Sequence, residues 1–77
     1  MESVALRSAR ADLWLADCEL AEAKIEYQRR EASVAFSPEE VELARLAMDT
    51  ALARQYQARL GVEKAGGESA GELLRGQ

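Results

Sequence analysis

The sequence predicts an all-α fold, in which an antiparallel two-helix hairpin of the coiled-coil type pairs with a second copy to form a four-helix bundle. Residues 4–33 and 39–60 lack glycine and proline and consist mostly of strong helix formers. The segment 34–37 between them is short, and such connections return consecutive helices antiparallel. Both stretches also carry large side chains and alanines at seven-residue spacing, which is typical of helices that pack lengthwise.

The start of the second helix is marked by four signals in the segment FSPEEV. Ser37 is suited to be the N-cap, and Pro38 to be the first helical residue, where its missing N–H costs nothing. Glu40 completes a capping box with Ser37, and Phe36 and Val41 are spaced as a hydrophobic staple. These signals predict that the chain reverses here and that a helix begins at Pro38.

The end of the second helix is predicted at Leu60, with Gly61 as the glycine that follows a helix in the left-handed conformation. All five glycines lie at or beyond this position, which favours a flexible tail. The predicted division is a hairpin over 1–61, with helix 1 at about 4–33, a turn at 34–37 and helix 2 at about 38–60, followed by a flexible glycine-rich tail over 62–77.

Two series at seven-residue spacing predict the seam between the helices. Its members are Leu6, Leu13, Leu20, Tyr27, Val41, Ala44, Met48, Ala51 and Ala58. If the chain reverses at about 35–36, facing residue numbers sum to about 71, and Leu20 meets Ala51 so that large side chains face small ones. The same register predicts three ion pairs across the seam: Glu26 with Arg45, Asp12 with Arg59, and Asp17 with Arg54.

A second apolar surface is predicted on the side of the helices that faces away from the seam. The residues assigned to this dimer or partner interface are Ala11, Trp14, Leu15, Cys18, Ile25, Arg29, Leu43, Leu46, Ala53 and Leu60. A helix with two apolar faces must bury the second one. The tail, a second copy or a different protein are the candidate occupants, and the glycine-rich tail suits the role least. The dimer of hairpins resembles the Rop type in shape, and no sequence motif carries this likeness.

The residue inventory argues against catalysis and metal binding. The chain has no histidine and only one cysteine, Cys18, which excludes zinc-finger and Cys–His arrangements. Glu19, Glu22 and Glu26 share one side of helix 1, and without histidine they are interpreted as a solvated charged face. We therefore expect no cofactor, no metal and no enzymatic activity.

Charge and hydropathy argue against nucleic acid and membrane as partners. The net charge of −4 and the isoelectric point near 4.8 are opposite to those of a general nucleic-acid binder. No apolar run of about 18 residues is present, as a transmembrane helix requires. The N-terminal residues have no apolar core of a secretory signal, so the cytoplasm is the expected location.

The function expected from these patterns is that of a small protein–protein interaction module. It would act as a regulator, inhibitor or adaptor by occupying the surface of a partner protein. Compact helical proteins of this kind are common among phage and mobile-element accessory proteins that target host factors. The alternatives are a structural or assembly role for the hairpin dimer, and, less favoured, DNA-binding transcriptional control, because a helix-turn-helix needs short helices that cross steeply.

Overall fold

The computed structural model describes the backbone of residues 2–75 and the side chains of residues 2–67. Over this range the chain forms two α-helices and no strand, α1 at Val4–Ala32 and α2 at Pro38–Arg75. The helices pack antiparallel along their length into a rod of 63 × 15 × 12 Å. The predicted all-α hairpin is thereby confirmed.

Helix α1 begins at a conventional N-cap. The hydroxyl oxygen of Ser3 accepts a hydrogen bond from the backbone N–H of Leu6 at 3.0 Å. At the other end Ser33 is extended and terminates the helix. Arg29 and Arg30 lie in the last turn, where positive charge interacts favourably with the carboxyl end of the helix dipole.

Helix α2 begins at Pro38, and the two halves of the capping box are formed. The backbone N–H of Glu40 donates to the hydroxyl oxygen of Ser37 at 3.2 Å. In return, the backbone N–H of Ser37 donates to the Glu40 carboxylate at 3.4 Å. The first turn of α2 is therefore stabilised by its own sequence, as a capping box requires.

The observed end of α2 corrects the predicted one, because the helix continues through Gly61 to Arg75. Over residues 2–75 no glycine has a positive φ, so Gly61 is not the left-handed cap. Val62 is half-buried and Ala65 is only 7% exposed, and both continue the seven-residue series of the seam. Packing against α1 thus outweighs the roughly 1 kcal/mol by which glycine disfavours a helix.

This longer helix takes in most of the segment that was expected to be a flexible tail over 62–77. Only Gly76 and Gln77 at that end, and Met1 at the other, lie outside the described residues. The predicted turn is also shifted slightly, since α1 ends at Ala32 rather than at 33.

The core is narrow and consists almost entirely of alanine. Among residues 2–67 the buried ones are Ala16, Leu20, Ala44, Ala51 and Ala65. The remaining predicted seam residues are half-buried: Leu6, Leu13, Tyr27, Val41, Met48 and Ala58. Leu20, at 5% exposure, is the one large side chain that the seam of the described residues buries. Small side chains allow the helices to approach closely, but each removes little apolar area from water.

Two contacts across the seam agree with the predicted register to within two residues. The side-chain amide of Gln55 donates to the Asp17 carboxylate at 2.7 Å. The guanidinium of Arg54 lies 3.9 Å from the Glu19 carboxylate. These two contacts define the register of α2 along α1, that is, which residues of the two helices lie side by side.

The three predicted ion pairs across the seam are wrong. Arg45 pairs with Glu42 and Asp49 of its own helix, and Glu26 pairs with the two arginines that follow it on α1. Arg54 lies nearer Glu19 than Asp17, and among the described ion pairs none joins Asp12 to Arg59. For Glu26 and Arg45, oppositely charged side chains three or four residues away on the same helix lie closer than the facing side chain on the other helix.

Candidate interaction surface

The side of α1 that faces away from α2 carries an apolar series at seven-residue spacing. We call it the α1 outer face, and its central line consists of Val4, Ala11, Cys18, Ile25 and Ala32, all exposed. Trp14, at 72% exposure, and Leu15 flank this line. Helix α1 therefore carries apolar series on two opposite sides, one toward α2 and one exposed.

Helix α2 has an apolar outer face of its own. Its predicted members, Leu43, Leu46, Ala53 and Leu60, are all exposed. The structure adds two exposed residues that sequence reasoning missed, Leu52 and Tyr56. Both border the seam series of α2, and their spacing of four residues along one helix edge is the signal that could have identified them.

Leu52 and Tyr56 line an open groove of about 460 Å³ along α2. The other residues that line it are Asp49, Ala53, Gln55 and Arg59. An apolar floor with a carboxylate and a guanidinium at its rim is suited to a protein side chain or helix edge, because interfaces combine an apolar centre with a polar rim.

A pair of shallow troughs follows the opposite flank of the hairpin, between the two helices. They measure about 390 and 360 Å³ and meet at Glu19. Alanines form their floors, and Asp12, Glu19, Glu22 and Glu26 of α1 line them on one side. Arg54 offsets part of this charge through its contact with Glu19.

At the turn end of the hairpin, charged and aromatic side chains form a cluster that the sequence interpretation did not anticipate. Both Arg29 and Arg30 donate hydrogen bonds to the Glu26 carboxylate, at distances of 2.7 to 3.0 Å. The two guanidinium groups also lie 5.4 Å from the centroid of the Phe36 ring, within the range of cation–π attraction. Arg29, assigned to an interface from sequence, is thus engaged at this end of the hairpin.

This cluster holds Glu26 in its charged form. The hydrogen bonds from Arg29, and then those from Arg30, lower the pKa of Glu26 from 4.5 to about 2. On α2 the hydrogen bond from Arg45 likewise lowers the pKa of Glu42. The spacing E-x-x-R-R, which places arginines three and four residues after a carboxylate, is the sequence signal for such a cluster.

No group of three or more His, Cys, Asp or Glu side chains is placed to hold a metal ion in the part of the chain that the structure describes. Cys18 is an exposed free thiol. Neither helix, over its described length, is long and apolar enough to cross a membrane.

Comparison with known proteins yields no relative from which a function could be transferred. No protein-family model matches the chain, and neither a curated protein nor a solved structure shows significant similarity to it.

Proposed function

We propose that this protein is a non-enzymatic interaction module that forms a homodimer of hairpins, a four-helix assembly, and in that form binds a partner protein. The observation that carries the proposal is the contrast between its core and its surface. Over residues 2–67 the buried core holds a single large side chain, Leu20, whereas Trp14, Ile25 and Leu43 are each more than half exposed. Leaving such side chains in water forfeits about 1.5–3 kcal/mol apiece.

The surface area of the chain supports self-association. It exposes 5946 Å². A compact monomer of its 8.5 kDa would expose about 4650 Å². The excess of roughly 1300 Å² exceeds the ~800 Å² that each partner buries in an interface of standard size.

The residue inventory supports regulation or inhibition by occupancy rather than by chemistry. The sequence has no histidine, the side chain most often used as a general base at neutral pH. Leu46 and Leu60 on α2, and the groove beside Tyr56, offer an anchoring surface for a partner. We propose a cytoplasmic location, where an exposed thiol such as that of Cys18 would stay reduced.

The rod shape favours a second candidate function, that of a structural spacer or assembly element. A molecule 63 Å long and 15 Å wide presents its ends far apart, as a spacer requires. In this case the dimer itself is the functional form, and no further protein needs to bind α2.

Trp14 provides a direct test of self-association, because it is the only tryptophan in the chain. Its fluorescence emission should shift to the blue as the protein concentration rises, since a second copy removes its exposed ring from water. The Ile25→Asp variant should keep the emission of a water-exposed indole over the same series. An emission that stays constant in the wild-type chain, together with the mass of one chain, would contradict the proposal.

Capture from a cell lysate tests the partner. A protein retained by the wild-type chain and by Lys24→Asp, but released by Leu46→Asp, supports a partner site on α2. Both variants introduce an aspartate at an exposed position, and only Leu46 lies on the outer face of α2. If wild type retains nothing beyond what Leu46→Asp retains, the regulatory role is wrong and the structural role stands.

A further inference from the structure

We infer that two copies pair through α1 against α1 of the second copy, antiparallel and about a two-fold axis that passes beside Cys18. This inference rests on the proposed homodimer and names the surface that forms it. Cys18 is the midpoint of α1, which runs from Val4 to Ala32. A two-fold axis at the midpoint overlaps the two helices from end to end, and therefore buries the most surface that this pairing allows.

The central line of the α1 outer face is complementary to itself about this axis. When Cys18 faces the Cys18 of the second copy, Val4 faces Ala32 and Ala11 faces Ile25. Each large side chain meets a small one, as closely packed helices require. All of these residues are exposed in the single chain and free to make such contacts.

The positions beside the central line are matched as well. In an antiparallel pair, equivalent flanks of the two helices face each other. On one flank Trp14 therefore lies opposite Ala21 of the second copy. On the other flank Leu15 lies opposite Glu22. Further out, the facing pairs are Arg7 with Gln28 and Ser8 with Arg29. None of these four pairs brings like charges together, and the Glu22 side chain can cover Leu15 with its apolar stem.

The two neighbouring registers, one heptad away on either side, are poorer. A shift in one direction sets Trp14 against Trp14 and leaves Ala11 opposite Cys18, so large meets large and small meets small. A shift in the other direction sets Glu22 against Glu22, which is a direct repulsion between carboxylates. Size and charge therefore select the register centred on Cys18.

The resulting assembly is an open one. The seam toward α2 and the α1 outer face lie on opposite sides of α1, so the two α1 helices lie in the middle and each α2 lies outside. The outer face of α2, with Leu46 and the groove at Tyr56, then stays accessible to a partner in the dimer.

Oxidation of Cys18 tests the pairing. Helix axes about 10 Å apart leave roughly 5 Å between facing Cα atoms, which suits a disulfide. Oxidised glutathione should therefore convert the wild-type chain into a covalent dimer. The two Cys18 thiols lose two electrons and two protons and form a disulfide, and one molecule of oxidised glutathione takes these up and becomes two molecules of reduced glutathione. Dithiothreitol should reverse the reaction. The control for random collision is the double variant Cys18→Ser, Ala53→Cys, which carries its one thiol at an exposed position on α2. This variant should form little disulfide-linked dimer.

The register has its own test in a Cys18→Ser background. Ala11→Cys combined with Ile25→Cys should give a covalent dimer, because each new thiol faces the other residue of the second copy. Neither single replacement should do so. The two positions are about 21 Å apart within one helix, so they cannot form a bond in the same chain.

Mass measurements separate the possible failures. The Ile25→Asp variant should be a monomer, whereas the Leu43→Asp variant should remain a dimer. The two positions are matched in exposure, because Leu43 is 62% exposed and Ile25 is 65% exposed. A dimer that does not cross-link through Cys18, or that survives Ile25→Asp, would overturn this pairing and leave the proposed homodimer intact. A chain that stays single at all concentrations would overturn both.

Discussion

The guanidinium of Arg30 donates a hydrogen bond of 3.1 Å to the backbone carbonyl oxygen of Glu40, and so joins the last turn of α1 to the first turn of α2. The same side chain donates to the Glu26 carboxylate at 2.7 Å. It also lies over the ring of Phe36. One arginine therefore holds together the three parts of the chain reversal.

Replacing Arg30 with alanine should destabilise the hairpin by about 1 kcal/mol, because the hydrogen bond across the turn is lost. Arg29→Ala is the matched control, since Arg29 shares the contacts with Glu26 and Phe36 but makes no hydrogen bond to Glu40. It should cost less than Arg30→Ala, because an exposed ion pair adds little to stability. Urea unfolding measures both, and an equal or larger loss for Arg29→Ala would show that the bond to Glu40 contributes nothing.

Truncation of Leu20 to alanine should cost about 2–3 kcal/mol, because Leu20 is the one large side chain that the seam buries among the described residues. Leu52→Ala, at an exposed position on α2, should change the free energy of unfolding by less than about 0.5 kcal/mol. Thermal unfolding followed by circular dichroism distinguishes the two. If Leu20→Ala melted at the wild-type temperature, the assignment of the seam would be wrong.

The change in stability on replacing Gly61 with alanine tests whether α2 continues through this residue. A Cβ atom built at this glycine meets nothing within 4 Å, and the residue is helical. Gly61→Ala should therefore stabilise the chain by up to about 1 kcal/mol and raise its helical content. Destabilisation would instead indicate a left-handed cap at Gly61 and a helix that ends there.

The contribution of Glu26 to stability should depend on pH in the acidic range. Its folded-state pKa of about 2 lies below its usual value of 4.5, so its stabilising effect is complete above about pH 4.5 and is lost as the pH falls toward 2. Urea unfolding of wild type and Glu26→Gln should differ most at neutral pH and converge near pH 2. A difference that stays constant over this range would exclude the arginine contacts as its source.

The parts of the fold that local chemistry decides could be predicted from the sequence. Ser37, Pro38 and Glu40 define the start of α2 through contacts within one turn, and these contacts are present. The seven-residue series likewise identified Leu20 and Ala51, which are buried in the structure. Such features depend only on residues that are close in sequence or on the helix period.

The errors arose where two local preferences competed. Gly61 has the chemistry of a helix end, but the seam continues beyond it to Ala65, and packing decided the outcome. Counting the series one heptad further would have predicted this. Arg45 had carboxylates available on both helices, and those of its own helix were nearer. Leu52 and Tyr56 were missed because they flank the seam rather than lie opposite it.

The central claim is that the exposed apolar side of α1, around Ile25 and Trp14, binds a second copy of the chain. Sedimentation equilibrium at micromolar concentration tests it most directly. The expected mass is twice the 8.5 kDa of one chain for wild type, falling to that of one chain for Ile25→Asp. A wild-type chain that sediments at 8.5 kDa throughout the concentration series would contradict the claim.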